Sequence, residues 1–407
     1  MLTIGRMPQK VKRFFHPLRR LGDHVYQYYW GLTLALCVGQ TGTIERLVEL
    51  LRGVTHRTNH GEFLWRSEWD ESPVMRAIAL DTLKRLYRKD CPDCYFIIDD
   101  TQTLKQAKKM QAVGKLYHHA SGTYGTGHTI LKICLWYRGV TIPWGSWLYV
   151  KKEDAKKLDL PFEKLTDLAA QAIQEAALPA KLRITVLFDA WYLCPVIVNA
   201  CRARNWHFIG VSKQNRRFTV GGISRKIKTY GRNVLGNSGH WDTVEGLRKR
   251  GRYLLASRRG TMPKLGEVRV IFSRRRNDSG FIALVTNNMN RATKKIVADY
   301  LKRWAIEVMI KEQKQHLGLG DYRVLRYRAV VRHLHLVDAA YACLTHVGLN
   351  DRHAQGQDDA KRMLSLEPIR QLKARMRDIV WQEEVKNVIR VSHEKKVIRR
   401  LEKLLAA

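Results

Sequence analysis

Apolar residues recur at two different periods along this 407-residue chain, and the change of period divides it. Over residues 1–88 the spacing is helical. Met75, Ile78, Ala79, Leu83 and Leu86 repeat at three and four residues, and Ser72 before Pro73 offers an N-cap and a proline at the first helical position, so a helix is predicted to begin there. Upstream, Ile44, Leu47, Val48 and Leu51 share one helical face, with Thr43 as the predicted cap and Gly53 as the stop. That helix follows an apolar segment, residues 32–38, through Gly39-Gln40-Thr41-Gly42. A helix-turn-helix and an ordinary helical hairpin share this outline.

From residue 95 the texture is that of strands. Tyr95, Phe96, Ile97 and Ile98 form a short apolar run that ends in Asp99-Asp100-Thr101, and strands are predicted over 128–137 and 140–149, joined at Arg138-Gly139. A helix follows over about 162–177, then an apolar run 182–188 that leads into Asp189, a helix over 195–204 and a strand over 207–211. The predicted order is β-β-β-α-β-α-β. Three hairpin-type strands followed by βαβ units, with acids at the ends of the first and fourth strands, is the pattern of an α/β, ribonuclease H-like core.

Residues 214–287 interrupt this pattern with arginine clusters at 216–217, 248–250, 258–259 and 274–276 between strand-like runs, the mark of a basic β insertion. A long helix is then predicted from about Arg291 through Gln315 to Gly318, followed by an apolar segment 330–347 and two charged helices after Glu367. The expected organisation is a helical DNA-binding region over 1–90, the core over 91–213 and 288–320, the insertion over 214–287 and a helical C-terminal region over 321–407.

Charge narrows the partners. Seventy-three Lys and Arg face 37 Asp and Glu, a formal net charge of +36, while 45% hydrophobic content keeps the chain in the globular range. A folded cation of this size attracts polyanions through counterion release, so double-stranded DNA is the expected partner. The seven scattered cysteines suit a reducing compartment rather than a disulfide scaffold, and no apolar run reaches the ~18 residues of a membrane span. A cytoplasmic location is expected, with no membrane partner.

Candidate chemistry concentrates on the long helix and the strand ends. At ~100° per residue, offsets of 3, 7 and 14 set Arg303, Glu307 and Lys314 at roughly −60°, −20° and −40° from Tyr300, one stripe of the predicted helix. A solvated face with an Arg303–Glu307 pair has the same spacing. The strand-terminal acids favour more: Asp99 (or Asp100), Asp189 and Glu307 come from three elements, as a two-metal nuclease needs. Glu312, the rival acid, points ~140° away from Glu307 around the helix.

On these residues the sequence resembles the bacterial DDE transposases of the insertion sequence 4 superfamily, hairpin-forming cut-and-paste enzymes. Their signature of Tyr, two residues, Arg, three residues, Glu, six residues, Lys is matched by Tyr300, Arg303, Glu307 and Lys314. The similarity includes Ile98-Asp99-Asp100-Thr101, Phe188-Asp189-Ala190-Trp191-Tyr192 and Arg303-Trp304-Ala305-Ile306-Glu307, and spans about residues 95–345. It implies Asp99, Asp189 and Glu307 as catalytic metal ligands for two Mg²⁺ (or Mn²⁺), with Asp99 favoured by the following x-Thr and Asp100 left open as the alternative first acid. It further implies that Tyr300, Arg303 and Lys314 grip phosphates at the element end, that Trp241 stacks on a flipped base, and that the protein pairs two ends as a homodimer on the nucleoid. Lys105, Lys108 and Lys109, which follow the first acid, are added as DNA-binding candidates.

Other signals are weaker. Cys91 and Cys94 have a metal-like spacing with no second pair, His128 reads as a packing or capping residue, and His333 and His335 as core. Two other readings share the acids: a nuclease that cuts without joining, and a non-catalytic DNA-binding derivative. A tyrosine recombinase fits poorly, because no recognisable Arg and His set precedes Tyr300.

Overall fold

The computed structural model describes residues 4–51, 56–107, 109–118, 121–247, 250–354 and 363–391. Among the described residues five helices come first: α1 (Gln9–Phe15), α2 (Asp23–Val38), α3 (Ile44–Leu50), α4 (Arg57–Trp65) and α5 (Glu71–Leu86), with a 3-10 turn at His16–Leu21. The cap of α5 is Asp70, not Ser72: its carboxylate accepts the Ser72 N–H at 3.1 Å. An anionic acceptor suits the positive end of a helix, and Pro73 still falls in the first turn, where its missing amide costs nothing. Thr43 precedes α3 without making a capping bond, and the predicted stop Gly53 lies outside the described residues.

The α2–α3 outline is a packed hairpin. Residues 31–38 of α2 are all buried. In the connecting turn the Gly42 N–H donates to Asp321 Oδ2 at 3.0 Å, and a Cβ on Gly42 would meet the Gly318 carbonyl oxygen at 2.7 Å, so glycine is required by this close approach.

Twelve strands among the described residues form one sheet: β1 (Asp93–Leu104), β2 (Gly114–His118), β3 (Thr123–Tyr137), β4 (Val140–Tyr149), β5 (Arg183–Phe188), β6 (His207–Val211), β7 (Arg217–Val220), β8 (Ile223–Lys226), β9 (His240–Glu245), β10 (Arg250–Met262), β11 (Gly266–Arg275) and β12 (Ile282–Thr286). β1 is antiparallel to β3 and parallel to β5, which is parallel to β6. β4 pairs with the later part of β3, and β2, which the periodicity misses, with the earlier part. Helices α6 (Lys152–Lys157), α7 (Leu165–Glu175) and α8 (Pro195–Ala203) make the connections around β5.

The region 214–287 continues this sheet. β12 pairs with β6 on one side and β11 on the other, and β10 carries both β7 and β9. It also holds a helix, α9 (Ile227–Ser238), absent from the sequence expectation.

The predicted long helix is two: α10 (Thr293–Tyr300) and α11 (Trp304–His316), separated by a 3-10 turn, Leu301–Arg303. Then come α12 (Tyr327–Ala354) and α13 (Ile369–Val391). The second charged helix expected after Glu367 lies outside the described residues.

Strand alternation splits the core. Tyr95, Ile97 and Leu187 face a layer built from α2, α10, α11, α12 and α13, whereas Phe96, Ile98 and Phe188 face α7, α8 and α9. α12 is apolar on nearly all sides because it is the axis of its layer, packed on β4, α2, α4, α5 and α13. Its buried Arg332 donates to Glu71 at 2.5 Å, to the Phe63, Leu64 and Trp69 carbonyls, and lies over the Trp69 ring at 4.7 Å. The N- and C-terminal helices are therefore one packed layer. No described helix is long and apolar enough to cross a membrane.

His128, His333 and His346 are enclosed in this core, and burial holds each near a pKa of about 4. Within the neutral ring of His128, Nε2–H donates to the Gln111 carbonyl at 2.9 Å and Nδ1 accepts from Tyr322 Oη at 2.7 Å, as expected for a packing histidine. Unfolded histidines titrate near 6.5, so the stability from these groups is complete above that pH and lost as pH falls from ~6.5 towards ~4. At pH 5 the loss should be on the order of 2 kcal/mol per histidine. Urea midpoints at pH 7 and pH 5 test this; His128→Gln should narrow the difference, and equal midpoints in the wild type would refute it.

Candidate active site

The first two acids stand just beyond the point where the parallel pairing of β1 and β5 ends. Ile97 is level with Leu187 across β1 and β5, so Asp99 and Asp189 each lie two residues beyond a matched pair, on strands ~4.8 Å apart. Asp99 shares the face of Ile97 and looks towards α11; Asp100 takes the opposite face.

Each carboxylate is held differently. Asp99 Oδ1 accepts the Asp100 N–H at 3.0 Å, and Oδ2 accepts from Arg303 Nη1 at 3.0 Å. Asp189 Oδ1 closes a turn by accepting the Trp191 and Tyr192 N–H groups at 2.8 and 3.4 Å. Tyr192 in turn donates its hydroxyl to Asp100 Oδ1 at 2.9 Å. Arg303, at the start of α11, bonds Glu307 through Nη2 one helical turn later. One guanidinium thus bridges acids from β1 and α11, in the forked geometry that suits arginine.

Burial pushes the Asp99 carboxyl up to about 6, against the pull of Arg303, with Asp100 and Asp189 raising it further. Tyr300, the last residue of α10, is pushed up to about 12 by burial, opposed by Arg303. Asp99 and Glu307 line a recess of about 390 Å³ with Asp100, Thr101, Lys311 and Lys314; Asp189 stands outside its lining.

The 3-10 turn at Leu301–Arg303 interrupts the helix of the predicted stripe, but Tyr300 still lies beside Arg303 and close to Asp99 and Asp189. Arg303, Glu307 and Lys314 keep a common face towards β1, and Lys314 Nζ donates to the Gln102 carbonyl at 2.8 Å. Glu312 is turned away, accepting from Tyr341 Oη and the Ile369 N–H.

The lysines that follow the first acid separate. Lys105 is withdrawn from the surface: it is 8% exposed, gives its ammonium to the Gly320 and Tyr322 carbonyls at 2.6 and 2.8 Å, and sits over the Tyr322 ring. Burial lowers its pKa to about 8, a cost that those carbonyls offset and that a surface phosphate contact would not require. Lys109 is exposed, and Lys108 lies outside the described residues. Trp241, on β9, is 45% exposed beside Arg252. Its neighbour Asp242 pairs with Lys294 near the start of α10, so Trp241 flanks the helix that ends at Tyr300.

Sequence reasoning missed the aromatic flank of the site. Trp191 and Trp304 are 61% and 52% exposed, each beside a candidate residue, and Tyr192 fixes Asp100. The adjacency of Trp191 and Tyr192 to Asp189 is visible in the chain, but their opposite fates, one outward and one buried, depend on the turn. Also unread is a buried ion pair behind the site: Lys132, the cross-strand partner of Asp99, bonds Asp338 of α12, which also accepts from Ser146 at 2.5 Å and Gln313 of α11 at 2.8 Å.

The acids offer carboxylate oxygens, the donors that hard divalent cations take. Among the described residues no three donors surround one point, and Arg303 bonds both Asp99 and Glu307. Cys91 and Cys94 gather no further ligands, and Cys94 is a buried thiol that burial pushes up to about 12.

No curated protein matches this chain. A family model described as a transposase DDE domain matches residues 165–343. Another, described as DDE superfamily endonuclease, matches residues 30–244, more than half of the 407. The two together span β1, β5 and α11, the elements that carry the three acids. A DDE domain implies a ribonuclease H-like fold, in keeping with the mixed sheet β4-β3-β1-β5-β6. The chain therefore belongs to the DDE superfamily of endonucleases and transposases, and it is an enzyme that acts on DNA.

Proposed function

We propose that this enzyme is a bacterial cut-and-paste transposase of the insertion sequence 4 type, with Asp99, Asp189 and Glu307 as its catalytic carboxylates. The observation that carries the reading is the single Arg303 guanidinium bonded at once to Asp99 and Glu307, beside an Asp189 level with Asp99. Acids from two of the three elements meet one cation, and the third stands beside them at the end of the neighbouring strand. The three acids would hold two Mg²⁺ (or Mn²⁺). Bound there, the ions would activate the attacking oxygen and neutralise the leaving one.

The chain's own residues then orient the substrate. Arg303 exchanges its carboxylates for a phosphate of the element end, Lys314 holds a neighbouring phosphate, and Tyr300 backs the strand between them. Trp241 offers a face for an unstacked base. Every step breaks one P–O bond and forms one: water cuts the first strand, the freed 3′-hydroxyl attacks the opposite strand to close a hairpin, water opens it, and the 3′-end joins target DNA. The helices α1–α5 would read the element end, and pairing of two ends calls for a homodimer working on the nucleoid in the cytoplasm.

A labelled element end incubated with Mg²⁺ and resolved on denaturing gels tests the hairpin. Arg303→Ala and Lys314→Ala should keep measurable first-strand nicking, yet lose hairpin product by ~10²-fold, about 2.7 kcal/mol of positioning. Nicks without any hairpin in the wild type, or full hairpin yield in both variants, would put the plain nuclease ahead.

A further inference from the structure

Away from the acid recess, the sheet sets arginine against arginine. Arg259 of β10 is the direct cross-strand partner of Arg269 of β11, and like charges placed opposite each other on one face destabilise a sheet. Arg269 donates to the carbonyls of Arg291 and Met289 at 2.5 and 3.2 Å and to the hydroxyls of Thr293 and Ser257 at 2.7 and 3.0 Å. Arg259 reaches the Met289 carbonyl and Asn290 Oδ1 at 3.2 and 3.5 Å, and Arg258 the Ser257 carbonyl and Ser238 hydroxyl. Every one of these acceptors is neutral.

Among the described residues none of the three pairs with a carboxylate, although Arg291 in the same recess is matched by Asp93 and Asp299. Burial, with the charge of Arg259 added, lowers the pKa of Arg269. The recess is about 520 Å³, shares no residue with the acid recess and has no aromatic ring for a base. The loop that Arg269 holds runs into α10, whose far end is Tyr300, eight residues or ~12 Å along the axis. A duplex lying along that helix reaches both ends of it.

We propose that Arg259 and Arg269, with Arg258 at the rim, form a phosphate-binding site for duplex DNA outside the candidate active site. The assignment rests on DNA as the substrate of the family and not on the hairpin reading. The missing carboxylates are replaced by phosphodiesters when DNA is bound, which turns the cross-strand repulsion into shared attraction for one polyanion.

The test is fluorescence-anisotropy binding of a labelled duplex in EDTA across a salt series, together with thermal melts of the free protein. Arg259→Gln should bind DNA several-fold more weakly, with a log K against log salt slope shallower by about 0.9, one phosphate contact. Its melting midpoint should stay level or rise, because the repulsion is gone. Arg269→Lys, which keeps the charge, should keep most of the slope, and Lys156→Gln, an exposed charge on α6, should leave binding unchanged. An unchanged slope in Arg259→Gln, or an equal drop in Lys156→Gln, overturns the site. So does a lowered midpoint with intact DNA binding, which marks a structural role. Stabilisation of the wild type by inorganic phosphate with unaltered DNA binding in Arg259→Gln would make it a small-anion site and likewise overturn the proposal.

Discussion

Glu307→Gln and Asp99→Asn should each lower metal-dependent DNA cleavage by ~10³-fold or more, about 4 kcal/mol of transition-state stabilisation. Both substitutions keep side-chain shape and remove the charge that a divalent cation needs, so folding and DNA affinity in EDTA should survive. Affinity should even rise slightly, because an anion beside the phosphates is gone. Asp100→Asn is the informative comparison. Asp100 lies on the opposite face of β1 and is bonded by Tyr192, so its loss should cost ~10-fold or less through the turn that Asp189 closes. Single-turnover cleavage of a labelled duplex decides between them. Full activity in Glu307→Gln would sink the assignment, and a larger loss in Asp100→Asn than in Asp99→Asn would move the first acid by one residue. Glu312→Gln should act on stability alone, since Glu312 accepts from Tyr341 and the start of α13.

Lys132→Met should be the most destabilising single change near the site, by ~3–5 kcal/mol. Both Lys132 and Asp338 are essentially inaccessible to water, and removing the cation leaves a buried carboxylate with only Ser146 and Gln313 as donors. A buried pair is replaceable as a unit, so Lys132→Met with Asp338→Leu should recover most of the loss. Urea denaturation of the single and double variants measures it; a single variant within ~1 kcal/mol of wild type, or a double variant no better than the single, would refute the claim. The pair matters beyond stability because it ties β3, directly opposite Asp99, to α12 and, through Gln313, to the helix that carries Glu307. A shift in cleavage rate larger than the stability loss explains would identify the Lys132–Asp338 pair as positioning the acids.

Much of this molecule is written locally. The continuous apolar run Tyr95–Ile98 and the apolar run 182–188 identify β1 and β5, and the acids directly follow each run in the chain. The spacing of Arg303, Glu307 and Lys314 is likewise a one-dimensional fact, because residues four and seven apart on a helix share a face whatever surrounds them. Charge composition pointed to DNA for the same reason: counterion release depends on how many cations there are. Tertiary packing decided the rest. The break between α10 and α11 has no proline or glycine to announce it. It arises where Arg303 turns to Asp99 and Lys302 to Asp299, contacts between residues about 200 positions apart in the first case and three in the second. Lys105 and Lys109 read alike in sequence, yet one is buried under Tyr322 and the other is exposed, because burial is set by where the chain returns and not by residue type. The opposition of Asp99 and Lys132 is fixed by the register of two strands far apart in the chain, which no local pattern specifies, and that of Arg259 and Arg269 by the turn between Met262 and Gly266, which closes their hairpin.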